Sequence, residues 1–268
     1  MIRVPQVSIE RIAVCHGHGE ALSDLAFKAA RALPPETYGG VIAATFSNPE
    51  RFPALSVRVA SELGLPAGTP AFDLQMACSA YPYAVYLAGR MAADSGRPVL
   101  VVDGDVQSRL VDRTDHATGA IFSDAATASV ITADTVSGAC SGFAFLSRAD
   151  EALACSETGP IGMDGFKVFT FVATEVSAFL RTFGTDVDLF APHQANPYMI
   201  RQLARSLGLT DKLLTIDPQL LNPGSCSVPM ALAGGARSGR ALIAGFGAGY
   251  SAAAGIVDIP PSFQSFIA

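Results

Sequence analysis

Residues 72–91, "FDLQMACSAYPYAVYLAGRM", change hydrophobic period partway along, and that change decides the fold class. The stretch "AFDLQMA" reads as a short strand. From Ser79 to Ala93 the apolar residues Ala84, Leu87, Ala88, Met91 and Ala92 recur at helical spacing on one face. Pro82 falls in the first turn, where a helix tolerates it. Cys78 therefore sits at a strand-to-helix joint. A helix N-terminus carries roughly half a positive charge, which favours thiolate over thiol. An isolated cysteine in an apolar chain is more often a buried structural residue, so this stretch alone does not make Cys78 a nucleophile.

Outward from the joint, short β-branched runs alternate with amphipathic stretches, the pattern of an α/β protein. Helices are expected at Ala21 to Leu33, over "ALSVRVASELGL", at Val168 to Thr182, at Pro197 to Leu207 and from about Val228. Strands are expected at "YGGVIAATF", "RPVLVVDGD", "ASVITA", "GFAFLSR", "VDLFA", "LLTID", "ALIAGF" and "SAAAGIV". "ASVITA" and "GFAFLSR" are expected to pair as a hairpin, and Arg148 to Gly165 reads as a long loop. The order helix, strand, helix, strand recurs, which implies a duplicated unit with halves at 1–150 and 151–268.

The chain has 268 residues, of which 50% are hydrophobic and 16% charged, enough for a large core or a buried oligomer face. A net charge of -6 argues against nucleic acid, whose binding rests on phosphate neutralisation. The five cysteines form neither a CxxC pair nor a metal-ligand spacing, so no metal is expected and a reduced, cytoplasmic setting is. "MIRVPQVSIERIAV" has no signal-peptide core. The uncharged run Ala241 to Val257 reads as two strands around a Gly247–Gly249 turn, and no membrane association is expected.

Two further places carry candidate chemistry. In "DLFAPHQANPYMIRQLARSLGL", His193 follows a strand and precedes a helix marked by Asn196 as N-cap and Pro197 as first residue. Ligand sites collect at such strand ends in α/β sheets, although a loop histidine held by backbone groups is common. In "QLLNPGSCSVPMAL", Asn222 precedes Pro-Gly, where asparagine is ordinarily a turn residue.

Together, the cysteine stretch, "PHQAN" and the "N-x-x-x-x-S-V-P" loop resemble the β-ketoacyl-acyl carrier protein synthase III (ketosynthase III) family of the thiolase superfamily. "VLVVDGDV", "DHATGAIFSDAATA", "MDGFKVF" and "AGFGAGYSAAAG" extend the resemblance over nearly the whole chain from about Ser8. It implies a thiolase-like fold: two pseudo-duplicated halves in a layered α-β-α-β-α arrangement, the first with the nucleophile and the second with the histidine and asparagine. It also implies an acyltransferase in which Cys78 carries the acyl group. His193 and Asn222 would hydrogen-bond a malonyl thioester, and the backbone of Cys78 and Ala248 would form an oxyanion hole. No cofactor is implied; the substrates are coenzyme A or acyl carrier protein thioesters. Phe52 falls where the family sends a ring into the partner's acyl pocket, so a homodimer is expected. Arg201 and Arg205 are the candidates for carrier docking.

The chain departs from the family's pattern at its start. The opening strand and the following tryptophan-bearing segment that stacks on adenine have no counterpart, and there is no tryptophan at all. "GDGAGA" appears as Ser123 to Ala128, "SDAATA". A specialised fatty-acid or polyketide-type role is implied. Two alternatives stay open: an acyltransferase making esters or amides without decarboxylation, and a non-catalytic subunit of a ketosynthase heterodimer.

Overall fold

The structure is a computed structural model that describes residues 1–268 except 117, 157 and 158. Position 117, within the "DHATGAIFSDAATA" match, and positions 157 and 158, within the stretch read as a loop, thus lie outside the described residues.

The first half runs β1 (Ile2–His16), α1 (Leu22–Ala32), β2 (Gly40–Ala44), α2 (Leu55–Glu62), β3 (Ala71–Leu74), α3 (Ala80–Ser95), β4 (Val99–Val106), β5 (Asp124–Asp134) and β6 (Cys140–Ser147). Then come the small strands β7 (Leu153–Ala154) and β8 (Gly162–Met163). A helix follows as α4 (Gly165–Phe171), a π-helical segment (Val172–Val176) and α5 (Ser177–Arg181). The chain ends with β9 (Leu189–Pro192), α6 (Pro197–Leu207), α7 (Ser227–Gly235), β10 (Gly239–Gly247), β11 (Ser251–Ile259) and β12 (Gln264–Ile267).

Ten strands form one mixed sheet in the order β3-β2-β4-β5-β1-β6-β11-β10-β9, with β12 beside β1. Successive side chains on a strand face opposite ways, and this alternation builds the layers. Val41 and Ala43 of β2 face α1 and α2, together with Leu100 and Val102. Ile42, Ala44, Val99 and Val101 face inward, as do Leu189, Ala191, Ala241 and Ile243 of the other half. Between these inward faces lie α3 (Tyr81, Ala84, Val85, Ala88) and α7 (Val228, Ala231, Leu232). Beyond the second half, α4, the π segment and α6 cover Phe190, Leu242 and Phe246. The result is the α-β-α-β-α layering that the family resemblance implies. Each large side chain buried here contributes about 1.5–3 kcal/mol.

Four expectations need correction. The opening strand is expected to have no counterpart, yet Ile2–His16 form β1, the longest strand. The "ASVITA"–"GFAFLSR" hairpin does not form. β1 lies between these strands, pairing with β6 over Ile2–Pro5 and with β5 over Gln6–His16. "LLTID" forms no ladder: a single bridge joins Leu213 to Phe190, and the chain then turns at Asp217–Pro218. The stretch 148–165 holds the β7–β8 ribbon, and its helix begins at Gly165 rather than Val168. No helix among the described residues is long and apolar enough to cross a membrane.

Candidate active site

Cys78 occupies a tight 3-10 turn, Ala77–Ser79, between β3 and α3. Ala77 has φ 41, a left-handed conformation that a residue with a Cβ rarely adopts. That bend aims the Cys78 side chain away from α3 toward β10. The turn and β10 touch closely because two β10 positions lack side chains. A Cβ on Gly245 would lie 2.7 Å from the Cys78 carbonyl oxygen and 2.8 Å from Ser79 Cα. One on Gly247 would lie 3.3 Å from the Cys78 sulfur. A Ser79–Ser251 hydroxyl bond of 2.7 Å ties the turn to β11.

Cys78 is 4% exposed. Burial pushes the Cys78 thiol up to about 12, against the N–H groups of Ala248 and of Cys78 itself, which favour the thiolate. Those are the two N–H groups expected to line an oxyanion hole. The resting residue is therefore a protonated thiol, and a thiol must lose its proton before its sulfur can serve as a nucleophile.

His193 follows directly on β9, with its N–H bonded to Ala244 O at 2.7 Å. Its Nδ1 lies 3.0 Å from Gly224 O and 2.9 Å from Ser227 Oγ. Ser227 Oγ also accepts from Gln194 N–H at 3.0 Å and reaches Gly224 O at 2.8 Å. A carbonyl only accepts, so Gly224 favours the proton on Nδ1 and leaves a lone pair on Nε2. When the Ser227 hydroxyl donates to Nδ1 instead, the proton sits on Nε2. The site thus accommodates both tautomers.

Burial lowers the His193 pKa to about 4, with the Gly224 carbonyl opposing. The ring is neutral at pH 7. Between pH 6.5 and 4 the unfolded chain takes up a proton that the folded one refuses, so stability should be lost as pH falls through that window. Relative to His193→Gln, the wild type should lose about 3 kcal/mol of unfolding free energy in urea titrations between pH 7 and pH 4. Parallel stability curves for the two proteins would refute this.

Asn222 lies in the loop before α7 and is 6% exposed. Its Oδ1 accepts from Gly224 N–H at 3.0 Å, which turns the NH2 group outward as a donor. Its backbone is held by Ile121 O at 3.0 Å and Ser123 N at 3.1 Å.

Cys78, His193 and Asn222, far apart in sequence, line one cavity of about 300 Å³ with Gly247 and Phe169. A second cavity of about 610 Å³ opens on the other side of Cys78, lined by Met76, Gln107, Ile161, Ala248 and Tyr250. Phe122 and Leu153 border both cavities. Phe52 is elsewhere: it is 85% exposed and lines neither. Arg201 and Arg205 lie on the exposed face of α6. Among the described residues, no group of three or more His, Cys, Asp or Glu could hold a metal.

Residues not foreseen support this site. Asp103 and Asp105, alternate residues of β4, are both buried. One Asp105 oxygen accepts from Thr45, Phe46 and Ser47, yet burial still raises its pKa to about 6. Asp103 accepts from Ser225 at 2.6 Å, its other oxygen has no partner among the described residues, and burial pushes its pKa well up. Two acids in the apolar run "VLVVDGDV" were the available signal.

Two family models match the chain: 3-oxoacyl-[acyl-carrier-protein (ACP)] synthase III over residues 72–149, and its C-terminal counterpart over residues 183–259. The β-ketoacyl-[acyl-carrier-protein] synthase III of Neisseria meningitidis serogroup A is 32% identical, with 87% of this chain and 82% of that protein covered. Among solved structures, the 3-oxoacyl-(acyl carrier protein) synthase III of Pseudomonas aeruginosa PAO1 aligns with a TM-score of 0.82. It has 29% identity and covers 90% of this chain and 84% of that one. A 3-oxoacyl-(acyl-carrier protein) synthase from Burkholderia xenovorans LB400 shares the fold, with a TM-score of 0.88 at 21% identity, over 100% of this chain and 98% of that one.

Proposed function

Because the chain belongs to the 3-oxoacyl-[acyl-carrier-protein] synthase III family of acyltransferases, we propose that it makes a 3-oxoacyl thioester by decarboxylative condensation on Cys78. The observation that carries this reading is the shared cavity. A buried thiol, an imidazole and an outward-facing carboxamide NH2 meet there, with two N–H groups on the sulfur.

In the first half-reaction the Cys78 thiol gives its proton to the His193 Nε2 lone pair and its sulfur attacks the donor thioester carbonyl. The tetrahedral oxyanion is held by the N–H groups of Cys78 and Ala248. The donor thiolate leaves and recovers the proton, so an acyl-Cys78 thioester and a free donor thiol result. In the second, a malonyl thioester enters the cavity of His193 and Asn222. Its thioester carbonyl accepts from Asn222 Nδ2 and from His193 in the Nε2–H tautomer that Ser227 supports. As carbon dioxide departs, its bonding electrons form an enolate on that oxygen. The enolate carbon attacks acyl-Cys78, and the Cys78 sulfur leaves as thiolate and takes one proton from solvent, the proton that decarboxylative condensation consumes. The larger cavity holds the acyl chain, on the far side of the sulfur from the extender.

Acyl groups arrive on coenzyme A or on an acyl carrier protein, with Arg201 and Arg205 as cationic contacts for an acidic carrier. A homodimer fits two exposed features, Phe52 and the β3 edge strand with Phe72, 38% exposed. The setting is a cytoplasmic, specialised fatty-acid or polyketide-type synthesis, and the halves 1–150 and 151–268 supply the thiol and its two partners respectively.

The test is intact-mass analysis of the purified chain with acyl-CoA and acyl-carrier donors, followed by a malonyl donor with carbon dioxide detection. A covalent adduct on wild type but not on Cys78→Ala, and carbon dioxide release coupled to its discharge, are expected. An adduct that survives Cys78→Ala, or none on wild type, sinks the reading. Discharge without carbon dioxide would point to ester or amide formation instead.

A further inference from the structure

The larger cavity carries information about its occupant. Gln107 opens the short helical turn Gln107–Arg109 after β4 and lines this cavity, although the residue as a whole is only 1% exposed. Its Nε2 lies 3.0 Å from Ser123 O and 3.0 Å from Asn222 O. Both are carbonyls and can only accept, so the nitrogen must be on their side and the carboxamide orientation is fixed. Oε1 consequently points away from them, and no donor among the described residues reaches it. It is not among the fully enclosed unpartnered atoms, so it borders open space, and the space that Gln107 borders is the acyl cavity.

We propose that the acyl group accepted by this cavity carries a hydroxyl that donates to Gln107 Oε1. A purely hydrocarbon chain would take water from a buried carbonyl-type acceptor and return nothing, which disfavours it. Among the described residues no carboxylate lines the same cavity, which favours a neutral hydroxyl over an ammonium as the donor. Gln107 would then have two tasks. Its nitrogen positions the Asn222 backbone, and its oxygen selects the acyl chain. This inference rests on the proposed loading of Cys78.

The test is a competition in the loading step alone, because Asn222 is not needed until the extender enters. Wild type, Gln107→Leu and Gln107→Met are each offered equal amounts of octanoyl-CoA and one positional isomer of hydroxyoctanoyl-CoA. The two adducts on Cys78 are then compared by intact mass across all isomers. At least one isomer should load preferentially on wild type by about fivefold or more, the factor set by one net hydrogen bond. That preference should vanish in both variants. Because the readout is a ratio, a general loss of activity in a variant cancels, and circular dichroism identifies a variant that does not fold. Wild type that loads octanoyl and every hydroxyoctanoyl isomer equally, or a preference that persists in either folded variant, overturns the inference and leaves Cys78 loading intact. The absence of any adduct with any donor overturns both.

Discussion

Asn222→Ala is expected to leave Cys78 loading within a few-fold of wild type while slowing condensation by about a hundredfold to a thousandfold. The separation follows from where the groups sit. The N–H groups of Ala248 and Cys78 face the sulfur, where the proposed acyl transfer takes place. The Asn222 NH2 faces the cavity on the other side, its orientation set by the Gly224 N–H. Truncation removes a donor to the enolate, whereas the first half-reaction makes no direct contact with that NH2 and feels only the loss of the Oδ1 bond to Gly224, whose carbonyl holds His193. Rapid-quench mass analysis reads loading, and carbon dioxide release from the malonyl donor reads condensation. Equal loss in both steps would place Asn222 in acyl transfer and overturn the assignment.

Gly245→Ala should damage the same turn from the opposite side, by volume alone. Gly245 is not at positive φ, so alanine suits its backbone. What it lacks is room: the new methyl would meet the Cys78 carbonyl oxygen, Ser79 Cα and, at 3.1 Å, Pro82 Cδ. Backbone atoms and a proline ring cannot swing aside. Relief requires β10 and the nucleophile turn to part, at a cost of about 1–3 kcal/mol for overpacking. A displacement approaching an ångström at the sulfur lowers loading about a hundredfold. Gly234→Ala in α7 is the control, because nothing lies within 4 Å of its Cβ. A Gly245→Ala protein that melts and loads like wild type would show that the turn gives way freely.

The residues that make the site were legible in unequal measure. α6 was readable to the residue because Asn196 caps it, accepting from the N–H groups of Tyr198 and Met199, and Gly208 ends it in a left-handed cap. Cys78, His193 and Asn222 were readable as a set, since each ends a local pattern and their combination matches one chemistry. Strand neighbours were not. β5 and β6 are close in sequence, but β1, more than a hundred residues before them, takes the place between them, and no local period encodes that choice. "LLTID" has strand-forming residues and still makes a single bridge, because Leu214 serves the core while the backbone turns away. Gln107 and Gly245 were invisible for a related reason. One is a polar residue after a strand and the other a glycine within one, and each acquires meaning only from atoms brought there by the other half of the chain.

The placement of the Cys78 sulfur between two cavities also matters to anyone building a covalent probe. A single electrophile on that sulfur can be elaborated in two directions. A longer tail could run into the space of about 610 Å³ past Met76 and Ile161. A compact polar head could occupy the space of about 300 Å³ before His193 and Asn222. Non-covalent ligands that fill one arm would be distinguishable from those that fill the other, because on the proposed reading only the second kind shuts out the extender from an enzyme that is already acylated.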